Sequence, residues 1–237
     1  MQEILNDLYD YNGLKIYQYV EGFKFSLDSI LLAEYVKLNK KTKKILDLCS
    51  GNAVIPMILR TKTKAHIDAF EIQEEVYKLA QKSINYNNFD DNITIYNASI
   101  KNIGTYLKNE KYDIITCNPP FFKVYENSNI NNNQIEAIAR HEILITLEDI
   151  FNIVKDYLND GGEFYLVHRA ERLDEIIILA KKYNVGVKNI QLITTKETLN
   201  PTIILVRCIK GSKSGVKISS CRSIENLKTY QNMFKEE

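Results

Sequence analysis

The sequence predicts an α/β fold: a seven-stranded, mostly parallel sheet with helices on both faces and a β-hairpin in front. Three observations carry this. From residue 44 onward, short apolar runs alternate with stretches whose apolar residues recur at helical spacing, the pattern of βαβ units. The last two apolar runs are separated by a loop too short for a crossover helix, so they pair antiparallel. Finally, 237 residues at 45% hydrophobic and 26% charged are enough to bury a core without staples.

The elements follow in chain order. Residues 4–20 read as a hairpin. Tyr9 and Tyr11 precede Asn12-Gly13, and Leu14 and Ile16 follow; Asn-Gly supplies the positive φ angles of a two-residue turn. Ser26 or Asp28 caps a helix that runs to about Leu38. The strands are Lys44–Leu48, Ala65–Glu71, Asn92–Tyr96, Tyr112–Cys117, Glu163–Val167, Ile190–Thr194 and Thr202–Ile209. Between them, helical stripes run through Val76, Leu79, Ala80, Ser83 and Ile84, through Leu147, Ile150, Phe151, Val154 and Leu158, and through Leu173, Ile176, Ile177 and Ala180. Residues 1–43 form an N-terminal extension of hairpin and helix, and 44–237 the main domain. The irregular, Asn-rich stretch Phe122–Ile145 is a surface insertion or a substrate lid.

Two segments bear chemistry. The first is the turn after the first core strand, with Asp47, Cys49 and Gly51, followed by a helix with Pro56 near its start. Such a turn exposes backbone N–H groups to a ligand. Glu71 closes the next strand, with Ile72 just after it, and falls 20 residues after Gly51, a spacing that suits an acid bonded to ribose hydroxyls. One glycine of the three in a dinucleotide fingerprint fits a pyrophosphate poorly. The segment reads either as a site for S-adenosylmethionine, a nucleoside with an amino-acid tail, or as an ordinary strand–helix turn.

The second is Asn118-Pro119-Pro120-Phe121, directly after a strand. Two prolines fix φ and remove two donors, and each pushes its predecessor toward extended backbone. The stiff loop presents acceptors, the Asn118 side-chain oxygen and main-chain carbonyls, beside the flat face of Phe121. Acceptors beside a flat face suit a planar substrate with an exocyclic amino group. The loop sits at a strand's carboxyl end, where open α/β sheets bind ligands.

Together these segments resemble the class I, Rossmann-like methyltransferases that modify exocyclic or amide nitrogens. Three more stretches resemble the bacterial tRNA(Val) adenine-37 N6-methyltransferase family: residues Phe25 to Ala33 (FSLDSILLA), Ala139-Arg140-His141-Glu142, and Leu166 to Leu173 (LVHRAERL). The resemblance implies S-adenosylmethionine as cofactor, its methionine part at Gly51 and neighbours, its ribose on Glu71, and the target adenine on Asn118–Phe121. It aligns Ser99 with an acid that faces the cofactor's adenine in many members. It also sets Cys49 and Ala53 where members often carry glycines. The implied reaction is direct methyl transfer to the N6 of an adenine in tRNA, the base unpaired or flipped out.

Other readings compete with this one. Protein glutamine and ribosomal guanine-N2 methyltransferases use similar loops, but the former carry a helical domain in front and the latter often a duplicated domain. A dehydrogenase is disfavoured by the missing glycines, and an inert nucleotide-binding module by the intact Asn-Pro-Pro-Phe. Three histidines, no CxxC pair and an incomplete His141-Glu142 zinc motif predict no metal. Cys49 and Cys117 read as small pocket-lining residues. The scattered cysteines and the lack of a signal or long apolar run predict a cytoplasmic protein off the membrane, taken to be a monomer. With 31 basic and 30 acidic residues, net charge marks no polyanionic partner. Placement selects Lys123, Arg140, His168, Arg169, Arg172 and Lys196 near the carboxyl face as RNA phosphate contacts. Lys37, Lys40, Lys41, Lys43 and Lys44 fall at the opposite edge and read as a solvated face. Residues 188–237 hold nine Lys or Arg against four Glu, a basic tail suited to RNA.

Overall fold

The computed structural model describes residues 2–8, 13–20, 26–121, 145–195 and 200–224. Strands β1 (Glu3–Asp7) and β2 (Lys15–Tyr19) form a separate antiparallel hairpin. Helix α1 (Leu27–Tyr35) follows, then β3 (Lys44–Leu48), α2 (Val54–Arg60), β4 (His66–Glu71), α3 (Glu74–Tyr86) and β5 (Ile93–Asn97). A short α4 (Ile103–Tyr106) leads to β6 (Tyr112–Cys117). The chain continues with α5 (Leu147–Tyr157), β7 (Leu158–Arg169), α6 (Leu173–Lys182), β8 (Val185–Thr194), β9 (Ile203–Lys210) and β10 (Lys217–Ser223).

The main sheet has eight strands, not seven, in the order β10-β8-β9-β7-β6-β3-β4-β5. β3 pairs parallel with β4 and β6, β4 with β5, and β6 with β7. As expected, β9 runs antiparallel, to both β7 and β8. The additional strand, β10, pairs parallel with β8. Its sequence KISSCRS has no apolar alternation and every residue is at least partly exposed. Main-chain pairing holds it, helped by Asn189 Nδ2, which donates to the Lys217 carbonyl at 3.0 Å and to Ser219 Oγ at 3.2 Å.

Apolar clusters lie on both faces. One joins Leu8, Leu14 and Ile16 of the hairpin region to Ile30–Ala33 of α1, Met57 and Ile58 of α2, and Ala80 and Ile84 of α3. The other joins Ile103 of α4 to Ile150, Phe151 and Val154 of α5 and to Ile176, Leu179 and Ala180 of α6. α5 begins with a reciprocal cap between Thr146 and Asp149, which satisfies two orphan donors at its start. Ser26 stands at the N-cap of α1, but its side chain makes no capping bond; the helix also ends at Tyr35, earlier than expected.

The hairpin is built differently from its expected two-residue Asn12-Gly13 turn. Asp7 stands opposite Lys15, and Leu8 N–H donates to the Leu14 carbonyl at 2.8 Å. That register does not fit a two-residue turn at Asn12-Gly13; Gly13 takes φ +79°, and residues 9–12 lie outside the described part. The reason is burial. Leu8, Leu14 and Ile16 are all sequestered, and only an even register sets them on one face, because a one-residue slip turns every side chain over. The hairpin then docks on α3: Tyr17 N–H donates to Ser83 Oγ at 2.9 Å, and Asn87 both accepts from Lys15 N–H at 3.0 Å and donates to its carbonyl at 2.7 Å.

Candidate active site

β3 is the topological switch point. Connections from β3 run outward through β4 to β5, while β6 lies on its other side. The turns leaving β3 and β6 therefore diverge and leave a crevice at the carboxyl edge, the ligand position in open α/β sheets. Both chemistry-bearing segments border it.

The turn after β3 is tight. Cys49, Gly51 and Ala53 take φ of +59°, +53° and +61°. Two of these are not glycine, so they carry the strain of a left-handed conformation. That accounts for glycine's preference at such positions. Gly51 N–H donates to Glu71 Oε2 and Gln73 N–H to Glu71 Oε1, each at 2.8 Å, so the acid braces the turn across from it. Burial pushes the Glu71 carboxyl up, and the main-chain donors at Gln73 and Gly51 oppose that shift.

Asp47 is fully buried at the end of β3. Its Oδ1 accepts from the Thr116 hydroxyl of β6, while Oδ2 is buried with no partner. Burial pushes the Asp47 carboxyl up to about 7, with some help from the charge of Glu71, while the Thr116 hydroxyl and the nearby Ser50 hydroxyl, which donates to the Asp47 main-chain carbonyl, oppose the shift. An orphaned buried carboxylate oxygen is costly unless a cation or donor meets it. The ammonium of an amino-acid tail fits that requirement, and Glu71 keeps lone pairs for a diol. Ile72 is 39% exposed just beyond β4, an apolar surface for a ring. Ser99 Oγ accepts from Lys101 N–H at 3.3 Å and so caps a short turn after β5; its hydroxyl hydrogen remains to donate. The free thiols of Cys117 and Cys49 share a hydrogen bond, and burial raises the Cys117 pKa well above the usual thiol range, so Cys117 is not a thiolate nucleophile.

After β6, Pro119 is buried and Asn118, Pro120 and Phe121 are partly so. Asn118 Nδ2 donates to Ser29 Oγ of α1 at 2.9 Å. The Phe121 ring lies 5.4 Å from the His168 ring, tilted by 48°. Arg172 Nη1 donates to the Phe121 carbonyl at 3.4 Å, and the same guanidinium grips Glu175 through two bonds of 2.9 Å.

Two of the expected RNA contacts are buried. His168 is fully buried, its Nδ1 accepting from Arg169 N–H at 2.9 Å. Burial and the neighbouring Arg172 push its pKa down to about 3, so a neutral ring lies against Phe121. Arg172 is 8% exposed, its charge committed to Glu175. Arg169 is half-buried, within electrostatic reach of Asp28. Lys123, Arg140 and Lys196 lie outside the described residues, as do the Ala139–Glu142 stretch and most of the Phe122–Ile145 insertion. Sequence reasoning missed the roles of Ser29 and Thr116. Ser29 stood within the FSLDSILLA signature, but only its fold partner Asn118 shows what it touches.

Among the described residues, no group of three or more His, Cys, Asp or Glu could hold a metal, and no helix is long and apolar enough to cross a membrane. A hollow of about 700 Å³ opens at the opposite edge of the sheet, lined by Lys40, Lys43, Lys62 and Lys64 among others. None of the expected site residues borders it.

Residues 24–189 match the methyltransferase small domain family. Among curated relatives, the tRNA1(Val) (adenine(37)-N6)-methyltransferase of Flavobacterium psychrophilum is 25% identical over 204 residues, covering 84% of this chain and 86% of its own. The Pedobacter heparinus protein of the same name is 27% identical over 192 residues, with coverage of 81% and 79%. Among solved structures, a predicted O-methyltransferase from Agrobacterium tumefaciens superposes with a TM-score of 0.61 at 21% identity, covering 83% of this chain and 85% of that one. Pyrococcus horikoshii TYW2 in complex with MeSAdo gives 0.60 at 14% identity, covering 89% and 72%.

Proposed function

We propose, from the premise that this chain belongs to the methyltransferase small domain family, that it transfers a methyl group from S-adenosylmethionine to N6 of an adenine in RNA, adenine 37 in the anticodon loop of tRNA(Val). The observation that carries the reading is the pairing of Asn118-Pro119-Pro120-Phe121 at the end of β6 with the orphaned Asp47 Oδ2 at the end of β3. The two adjacent strands set an amino-group acceptor beside a cation acceptor. The substrate assignment draws on the activity named for the curated relatives.

S-adenosylmethionine supplies, when bound, a methyl group on a sulfonium. Asp47 would hold its ammonium, with Cys49 and Gly51 shaping the turn around the methionine part. Glu71 would take the ribose, Ile72 and Ser99 the adenine. Phe121 stacks on the target base, and Asn118 Oδ1 and the Pro119 carbonyl accept the two N6 hydrogens. Those bonds draw electron density onto a nitrogen whose lone pair is otherwise delocalised into the ring. They also stabilise positive charge as it develops. In-line placement supplies the rest. No strong base is required, because the proton leaves an already cationic amine. The same proposal takes residues 1–43 as an extension packed on a methyltransferase domain of residues 44–237, acting in the cytoplasm as a monomer.

The test is incubation with labelled S-adenosylmethionine and total tRNA, then mass analysis of the nucleosides. Label in N6-methyladenosine supports the reading. Label in N2-methylguanosine, or in glutamine of added protein, overturns it in favour of a rival amino-group substrate.

A further inference from the structure

The side-chain amide of asparagine has two unlike ends. Oδ1 only accepts and Nδ2 only donates. An amide that meets an amino group must turn its oxygen outward, since a flipped amide would oppose donor to donor. A neighbouring group that accepts from Nδ2 anchors the amide and leaves Oδ1 outward. In this chain the Nδ2 end of Asn118 is already taken, by Ser29 Oγ at 2.9 Å. The two residues are 89 apart in sequence and sit on two rigid elements. Ser29 lies in the first turn of α1, where its own N–H donates to the Ser26 carbonyl at 3.2 Å. The residues that follow it, Ile30–Ala33, are all buried. Asn118 follows Ile114–Cys117 of β6, which are buried at the centre of the sheet.

We infer that Ser29 is a positioning residue that anchors the Asn118 amide from α1, its hydroxyl accepting from Nδ2 so that Oδ1 is left to accept from an amino group in the crevice. This rests on the function proposed above and deepens it. It also gives the N-terminal FSLDSILLA stretch a role: α1 delivers a hydroxyl to the back of the catalytic loop. Ser29 touches neither base nor cofactor in this scheme and acts through Asn118 alone.

Two measurements decide it. In protein labelled with 15N-asparagine, the Asn118 Nδ2 hydrogens, assigned by their loss in Asn118→Ala, should exchange slowly with water. They should exchange faster in Ser29→Ala and slowly again in Ser29→Thr, with the rest of the spectrum unchanged. This readout needs no RNA, so it stands even if no adenine is methylated, which would instead sink the proposed function. In single-turnover methylation, Ser29→Ala should slow the rate about tenfold, the worth of one neutral hydrogen bond, at unchanged cofactor affinity. Ser29→Thr should restore the rate. In an Asn118→Ala background, adding Ser29→Ala should cost nothing further, because the partner is already gone. An undiminished tenfold penalty in that background, or equal exchange in all three proteins, overturns the inference.

Discussion

Asp47 has two carboxylate oxygens with different fates, one held by Thr116 and the other buried without a partner. Its pKa, pushed up to about 7 by burial, falls when a cation is bound beside it. Cofactor binding should therefore tighten as pH rises to about 7, releasing about one proton, and level off above. Calorimetry from acid to mildly alkaline pH in two buffers measures both. In Asp47→Asn the slope should vanish; a slope that survives moves the titration to Glu71, also pushed up by burial. The same raised pKa means that, without cofactor, the contribution of Asp47 to stability is greatest below the unfolded carboxyl's value of about 4 and declines as pH climbs toward 7. Ala53 carries a second expectation. Its φ of +61° costs roughly 1–2 kcal/mol. In Ala53→Gly that relief offsets about 0.8 kcal/mol for the lost methyl and a similar backbone entropy loss. Thermal unfolding should barely move. The equally buried Ala80, inside helix α3, has no strain to relieve, so Ala80→Gly should cost about 2 kcal/mol. Equal losses would mean that the turn is not strained.

Elements were legible from sequence where burial imposes a period. The apolar stripe of α3 is the buried set Val76, Leu79, Ala80, Ser83 and Ile84, as its spacing requires. β10 was illegible because an edge strand held by main-chain pairing leaves no apolar signature in KISSCRS. The early start of β7 at Leu158 was hidden by Asn159–Gly162, which reads as a turn. Its pairing with β6 is irregular at that point. The candidate site divides in the same way. Asp47, Glu71 and Asn118 stand at strand ends and were readable from position. The burial of His168 and Arg172 was not legible, because residue type reports charge, while packing against Phe121 and Glu175 depends on tertiary structure. The docking of the hairpin on α3 is testable at this scale. Ser83 Oγ accepts from Tyr17 N–H and donates to the Leu79 carbonyl, so Ser83→Ala strands a main-chain donor. Urea unfolding should show a loss of about 1–3 kcal/mol, against a change within about 0.5 kcal/mol for the exposed Gln81→Ala.

Across the whole molecule, charge is distributed by the polarity of the sheet. A net charge of +1 provides no global attraction for RNA, so binding depends on which edge the basic groups occupy. The carboxyl edge carries the Asn118 loop and Arg169, while the lysine-lined hollow faces away from it. If the RNA lies over the carboxyl edge, replacing Arg140 and Arg169 by alanine should weaken RNA binding and flatten its salt dependence by roughly 0.7–0.9 for each phosphate no longer neutralised. Replacing Lys40, Lys43 and Lys64 together by glutamine should leave both affinity and slope in place. Arg172→Ala separates position from charge. Its guanidinium holds the Phe121 carbonyl and Glu175, so its loss should loosen the stacking platform and lower methylation without changing the salt slope. Phe121→Ala should weaken RNA affinity by about 1–3 kcal/mol, the worth of one stacked base, and Phe121→Tyr should retain it. Filter binding over a range of salt, paired with single-turnover methylation, reads all of these variants. A slope that falls on removing the three lysines but not the arginines would place the RNA across the amino edge, where the Asn118 loop could not reach its base.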